Sequence, residues 1–363
     1  MPANLTHMLI GHKAANRLRE KENPGFGTFV KDVLESERTS KDFHGGTLRS
    51  FYNLGTLGPD LLYFRSLATC LWDVAWEGHV QAKGVEPWAY NMHSARPNEF
   101  PLRLLGILFR DAREDETGRV LDDQDWAKLA FVAGYLTHIA ADQIIHPLVN
   151  QIAEPYYRSG QHRKAHRQCE VFQDYFLFEH VYRPKRELHA RYRFETQRFD
   201  QWVTIHGGSW LRFTPDWFRC FLSRGVVETW GIHLPEAAVE QAVRNLRLVL
   251  WLSTKKGPYI EAVEEYARYR EDGRHFRKYV AEPKYPQRFK EAVDLASIYL
   301  QALFKLYQRL VNGQPLDQDD EDWFLAVVSD ADLTSPLQKG ILQSAEAAFK
   351  SHAQQSLEGK GQS

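Results

Sequence analysis

Apolar residues recur at three- and four-residue intervals along nearly the whole chain, and few stretches alternate in the way that marks strands. In residues 285–312, Phe289, Val293, Ala296, Leu300, Leu303, Phe304 and Tyr307 share one stripe while Lys290, Asp294 and Lys305 lie off it. This segment is therefore read as an amphipathic helix packed on a core. The same spacing predicts helices over about 28–36, 61–80, 98–113, 123–146, 165–185, 235–270 and 335–355, which makes the expected fold all-α. No internal repeat or long low-complexity segment interrupts the pattern, and only the tail after Leu357 reads as frayed. A break near residues 204–217 separates a histidine-rich front half from a tryptophan-rich back half. Two regions are expected from it, a metal-binding region over 1–210 and a helical C-terminal region over 211–363. The back-half tryptophans are read as large side chains filling gaps between helices.

One predicted helix departs from its own pattern. In "YLTHIAADQIIHPLVN", residues 135–150, Leu136, Ile139, Ala140, Ala141, Ile144, Ile145 and Leu148 cover most of the surface, yet His138, Asp142 and His146 are set among them. A step of four residues turns ~40° about a helix axis, so the three form one inclined row on a single face. A carboxylate in so apolar a setting is tolerated mainly when it is paired or bound to a metal. On this triplet alone, a metal site and a buried His–Asp hydrogen-bonded network are both open. "HRKAHRQCEVF" then adds His166 and Glu170, again at i and i+4, and an antiparallel neighbouring helix brings that pair opposite the first row. Five nitrogen and oxygen donors exceed what one tetrahedral zinc needs and point to a cluster of metals. His162, one turn earlier, and Cys169, near the same face, are read as spectators. Elsewhere "LGPD" delivers Asp60 to a helix start, where the helix dipole is a sufficient local reason for a negative charge. His93, ahead of an apolar helix, and His7, near the start, are isolated in sequence.

Taken in order, five blocks resemble the zinc-dependent phospholipase C family over residues 1 to about 180. They are Thr6-His7, Gly58-Pro59-Asp60, His93 ahead of Asn98-Glu99-Phe100, His138-x-x-x-Asp142-x-x-x-His146-Pro147, and His166-x-x-x-Glu170. The resemblance implies a multi-helix bundle related to the S1/P1-type nucleases, here with a helical C-terminal extension, and a cluster of two or three zinc ions that hydrolyses phosphodiester bonds. It implies that Asp60, His93, His138 and Asp142 hold one zinc, with Asp142 reaching towards a neighbouring ion. His146, His166 and Glu170 would hold a second, and His7 would be a ligand of a third. In the secreted members that third ion also uses the mature N-terminal residue, and the start Met1-Pro2 departs from that arrangement. Asp60 resembles the carboxylate that orients or deprotonates the attacking water, which makes it the catalytic candidate. Phospholipid or a related small phosphodiester is the implied substrate. Tyr63, Phe64 and Trp88 lie near these ligands in sequence and are read first as core packing.

Composition then narrows the partners. Hydrophobic residues at 43% and charged ones at 26% are ordinary globular values. With Lys+Arg 46 against Asp+Glu 47 the net charge is -1, so no bulk field draws the chain to nucleic acid or an anionic bilayer, and no nucleic-acid partner is expected. Cys70, Cys169 and Cys220 are odd in number and far apart, the opening residues lack the layout of a secretory signal, and no run of about 18 uncharged apolar residues occurs. A cytoplasmic protein with at most peripheral membrane contact is expected. There is no His-Asp dipeptide, His-Glu-x-x-His, Gly-x-Ser-x-Gly, phosphate-binding Gly loop ending in Gly-Lys-Ser/Thr, or Glu-x-x-His, which removes the commonest competing hydrolase and di-iron patterns. Three readings remain: a zinc phosphodiesterase of phospholipase C type, a related nuclease, and a non-catalytic helical protein whose metals fix its fold.

Overall fold

A computed structural model describes residues 4–21, 23–43, 46–65, 87–115, 118–153, 160–182, 199–204, 214–253, 258–269, 280, 284–333 and 340–358. The α-helices among them are α1 (Asn4–Arg19), α2 (Pro24–Phe29), α3 (Leu48–Gly55), α4 (Pro87–Ser94), α5 (Glu99–Asp111), α6 (Asp123–Ala153) and α7 (Gly160–Leu177). They continue with α8 (Phe199–Trp202), α9 (Asp216–Trp230), α10 (Glu236–Ser253), α11 (Pro258–Tyr269), α12 (Lys284–Val311), α13 (Gln318–Val327) and α14 (Ile341–Glu358). The fold is all-α, and the β structure among the described residues is one short antiparallel hairpin, Arg113–Asp115 against Gly118–Val120, and an isolated bridge between Thr39 and Thr47. No helix among the described residues is long and apolar enough to cross a membrane.

Helix α6 is the axis of the molecule. It is apolar on almost every face, and such a helix must be surrounded; α12 and α3 make the broadest contacts with it, and α1, α5 and α7 complete the ring. A continuous cluster of buried apolar side chains joins α1, α3, α5 and α6 to α9, α10, α12 and α13, so the back half contributes to the same core as the front. The expected helix over 285–312 is α12, with Val293, Ala296, Leu300, Leu303 and Phe304 buried along its stripe.

Local chemistry explains where the boundaries differ from the sequence reading. The helix expected to stop at His146 runs through Pro147 to Ala153, because burial on all sides outweighs the single hydrogen bond that Pro147 cannot donate. The segment read as one helix over 235–270 is two, α10 and α11, with Pro258 opening the second in the first-turn position that tolerates proline. Of the expected helix over 61–80, Leu61–Arg65 forms a 3₁₀ turn and residues 66–80 lie outside the described residues. Residues 205–213, which hold the expected boundary near 210, and the tail beyond Glu358 lie outside them too. Helix α1 left no stripe in the sequence because it is buried on most of its circumference, polar positions Asn4, Thr6, His7 and His12 included.

The crossing of α3 and α6 sets up the site. A Cβ on Gly134 would run into the carbonyl oxygen of Tyr52, and one on Gly55 into that of Phe131, so the two backbones touch where both residues lack a side chain. That contact brings the carbonyl of Thr56, just past the end of α3, to 2.8 Å from Nδ1 of His138. Gly134→Ala should therefore force the helices apart and cost about 3 kcal/mol, the upper part of the usual overpacking range. Gly27→Ala, whose added methyl meets open space in α2, should be neutral or mildly stabilising. Thermal unfolding of the two metal-free variants checks the contrast; equal melting temperatures would refute the tight crossing.

Candidate metal centre

Five separate stretches of chain deliver eight ionisable side chains to one buried place. Helix α6 supplies His138, Asp142 and His146 from successive turns. Asp142 is the hub: its Oδ2 is 3.1 Å from His138 Nε2 and 3.9 Å from His93 Nε2, and its Oδ1 is 3.3 Å from both His7 Nε2 and His146 Nε2. Helix α7 lies beside α6 and sets Glu170 Oε1 3.2 Å from His166 Nε2 and 3.4 Å from His146 Nε2. The turns after α3 place Asp60, whose Oδ1 is 3.1 Å from His93 Nε2 near the end of α4 and whose Oδ2 is 3.7 Å from His138 Nε2. Helix α1 places His7 with its ring stacked on that of His138, centroids 3.9 Å apart and planes within 8°. All are buried except His146, whose side chain is 14% exposed.

The donors fall into three groups whose ligating atoms lie within 4.8 Å of one another: His7, His138 and Asp142; Asp60, His93 and His138; His146, His166 and Glu170. The structure thus brings together every residue singled out in the sequence as a ligand. The third grouping coincides with the expected second set. His7 shares its group with His138 and Asp142, so the expected first and third sets merge at those two residues. Of the remaining sequence candidates, Phe64 is fully buried in the core and Tyr63 packs its ring 5.2 Å from that of His93. Trp88 is part-buried, with Arg65 5.0 Å from its ring centre and its Nε1–H donating to the His233 carbonyl. Cys169 is buried and its sulfur accepts from Gln173. The side chain of His162 lies outside the described residues.

The imidazole tautomers follow from backbone acceptors. A carbonyl oxygen only accepts, so Nδ1–H of His93 donates to Ala89 at 2.8 Å, that of His138 to Thr56 at 2.8 Å, and that of His146 to Leu333 at 2.9 Å. With the proton committed there, a neutral ring turns a lone pair from Nε2 towards the carboxylates. Lone pair against carboxylate oxygen is repulsive unless a cation, either a second proton or a metal ion, is shared between them. Protons do not complete this cluster. Asp142 Oδ1 and Asp60 Oδ2 are buried and receive no hydrogen bond. Burial, reinforced by the neighbouring His138, lowers His7 to about 3, so the stacked pair does not carry two charges. The donor set is nitrogen and oxygen only, arranged with second-contact carbonyls behind the rings, which is what zinc sites use.

In the metal-free chain the charges are strongly mutually dependent. Burial works against ionisation of Asp142 and Glu170, but the surrounding histidines outweigh it and hold both carboxyls well below the usual range. Burial likewise lowers His146, and Asp142 and Glu170 overcome it to carry the ring up to about 10. His138 is raised for the same reason, Asp142 leading and Asp60 following against burial.

One residue that holds the site was not singled out in the sequence. Asp174, one turn beyond Glu170 on α7, is fully buried and accepts from the backbone N–H groups of Leu5 at 3.1 Å and Thr6 at 2.7 Å, the Thr6 hydroxyl at 2.7 Å and the Tyr259 hydroxyl at 2.6 Å. It caps the first turn of α1 and so fixes the residue before His7. Burial pushes its carboxyl up to about 7 against those four donors. The signal was present in sequence, since His166, Glu170 and Asp174 continue the four-residue step.

A family model described as zinc dependent phospholipase C matches residues 6–206 of the 363. No curated protein and no solved structure matches the chain.

Proposed function

Because the chain belongs to the zinc dependent phospholipase C family, we propose that it is a zinc-dependent phosphodiester hydrolase acting on phospholipid or a related small phosphodiester, with two or three ions in the described cluster. The observation that carries this reading is the convergence of five imidazoles and three carboxylates in a buried place, with Asp60 Oδ2 and Asp142 Oδ1 receiving no hydrogen bond and the rings of His93, His138 and His146 each held by a backbone carbonyl behind it. In the proposed assignment Asp60, His93, His138 and Asp142 serve one ion, with His7 on the far side of Asp142, and His146, His166 and Glu170 serve another. Zinc bound there supplies Lewis-acid polarisation of a phosphoryl oxygen and a water acidified to a pKa of ~7.

The protein's own part is positional and electrostatic. Asp60 keeps Oδ2 without a hydrogen bond, an acceptor available to orient a water or take its proton. Asp142 holds four imidazoles at once and fixes the spacing between the groups. Cys169 and Cys220 form no disulfide, in keeping with a reducing, cytoplasmic setting as part of the same proposal. A net charge of -1 favours a lipid-type or small diester over nucleic acid, whose binding depends on cationic surface. The purified protein should hydrolyse p-nitrophenylphosphocholine, lose that activity on chelation, regain it with zinc, and leave single-stranded DNA intact. Cleavage of DNA instead would transfer the reading to a nuclease, and hydrolysis indifferent to chelation would remove the metal from it.

A further inference from the structure

Four of the six residues 328–333, just past α13, are hydrogen-bonded to the helices that carry candidate metal ligands or to Asn98 at the start of α5. Asn98 Nδ2 donates to the Val328 carbonyl at 2.7 Å. Gln143, next to Asp142 on α6, donates from Nε2 to the Ser329 carbonyl at 3.0 Å, while the buried Tyr299 hydroxyl donates to Gln143 Oε1 at 2.7 Å and accepts from Ser329 N–H at 3.3 Å. Ser94 donates to Asp332 Oδ1 at 3.2 Å. Leu333 closes the segment with both halves of its backbone: its N–H donates to the His93 carbonyl at 2.9 Å, and its carbonyl accepts Nδ1–H of His146 at 2.9 Å. One buried residue thus links His93, in the group with Asp60, to His146, in the group with Glu170.

We infer that residues 328–333 are a positioning strap through which the C-terminal region completes the metal centre. The Leu333 carbonyl fixes the tautomer and aim of His146, and the Leu333 N–H fixes the end of α4 that carries His93. The strap lies more than a hundred residues beyond the family-matched part of the chain, so this chain's centre depends on a segment that the family region does not include. Outer-contact partners of this kind typically change metal affinity by about 10–100-fold. The inference rests on the cluster being a zinc site.

Two variants of the full-length protein test it. Tyr299→Phe keeps the ring in the core and removes the hydroxyl that ties Gln143 to the strap; Leu333→Pro removes the N–H given to His93. Zinc affinity, measured by competition with a chromophoric chelator, should fall about tenfold in both variants, through the His146, His166 and Glu170 group in Tyr299→Phe and through the Asp60, His93 and His138 group in Leu333→Pro. In histidine-labelled NMR spectra of the metal-free Tyr299→Phe protein, the Nδ1–H of His146, held by the Leu333 carbonyl, should exchange with solvent faster than in the unaltered protein. Phe304→Leu, a core change on the same α12, should lower the melting temperature and leave zinc affinity as it was. If Tyr299→Phe and Leu333→Pro bind zinc as the unaltered protein does and the His146 Nδ1–H stays as protected from exchange, or if Phe304→Leu weakens zinc equally, the strap has no positioning role. If the unaltered protein binds no zinc, it is the metal reading that fails, and the strap inference with it.

Discussion

Replacing Asp142 with asparagine should remove zinc from the cluster and abolish diester hydrolysis while leaving the chain folded. Asparagine keeps the shape of the side chain and deletes its charge. The carboxylate stands within 3.1–3.9 Å of His7, His93, His138 and His146, so no other residue touches as many of the proposed ligands. The loss of zinc affinity should exceed the roughly 10–100-fold that follows removal of an outer partner. A second consequence appears without metal. Asp142 is the leading counter-charge that raises His138 and His146 against burial, and breaking a buried ion pair on one side costs about 3–5 kcal/mol. The metal-free Asp142→Asn protein should therefore melt well below the unaltered one. Asp216→Asn, at a side chain 88% exposed, should change neither property. Zinc retained at full stoichiometry in Asp142→Asn would refute the hub assignment.

Zinc affinity should rise about tenfold per pH unit between pH 7 and 9, because metal and proton compete for the same nitrogen. His146 is carried to about 10 in the metal-free chain by Asp142 and Glu170 against burial, so it is protonated throughout that window and must release its proton on ligation. The raised His138 adds to the release. Calorimetry in buffers of different ionisation heat measures the protons displaced, and a pH-independent affinity would contradict this coupling. In the metal-free chain the His7 and His146 shifts each tie stability to pH, and Asp174, which keeps its proton up to about 7 when folded, offsets the His7 contribution between pH 3.8 and 6.5. Below the ordinary histidine value the unfolded chain protonates His7 whereas the folded one does not until about pH 3, so the His7 contribution falls as pH falls from 6.5 to 3. Above the ordinary histidine value the folded chain keeps the His146 proton that the unfolded chain loses, so that contribution disappears as pH rises from 6.5 to 10.

The parts of this site that were legible in sequence are those that share a helix. His138, Asp142 and His146, and then His166 and Glu170, show themselves through the four-residue step because a helix converts spacing into direction. His7, Asp60 and His93 are each alone in their stretch, and it is the order of blocks resembling a family that marks them as ligands. The carbonyls behind the rings were not legible at all. Every residue carries one, so nothing in Thr56, Ala89 or Leu333 marks it as an acceptor for histidine until the chain is folded. The fold divides similarly. α12 announced itself by a one-sided stripe, whereas α1 was hidden by burial that left polar residues on its inner faces. The glycine contact between α3 and α6 depends on two residues 79 positions apart, Gly55 and Gly134, and neither signals its partner.

The central claim is that buried imidazoles and carboxylates from separate helices hold zinc. X-ray absorption at the zinc edge, with elemental analysis on protein purified without chelator, tests it most directly. The account predicts about two or more zinc ions per chain, each with a first shell of nitrogen and oxygen at about 2.0–2.1 Å. Protein that carries no zinc, or zinc with a sulfur shell at about 2.3 Å, would contradict it.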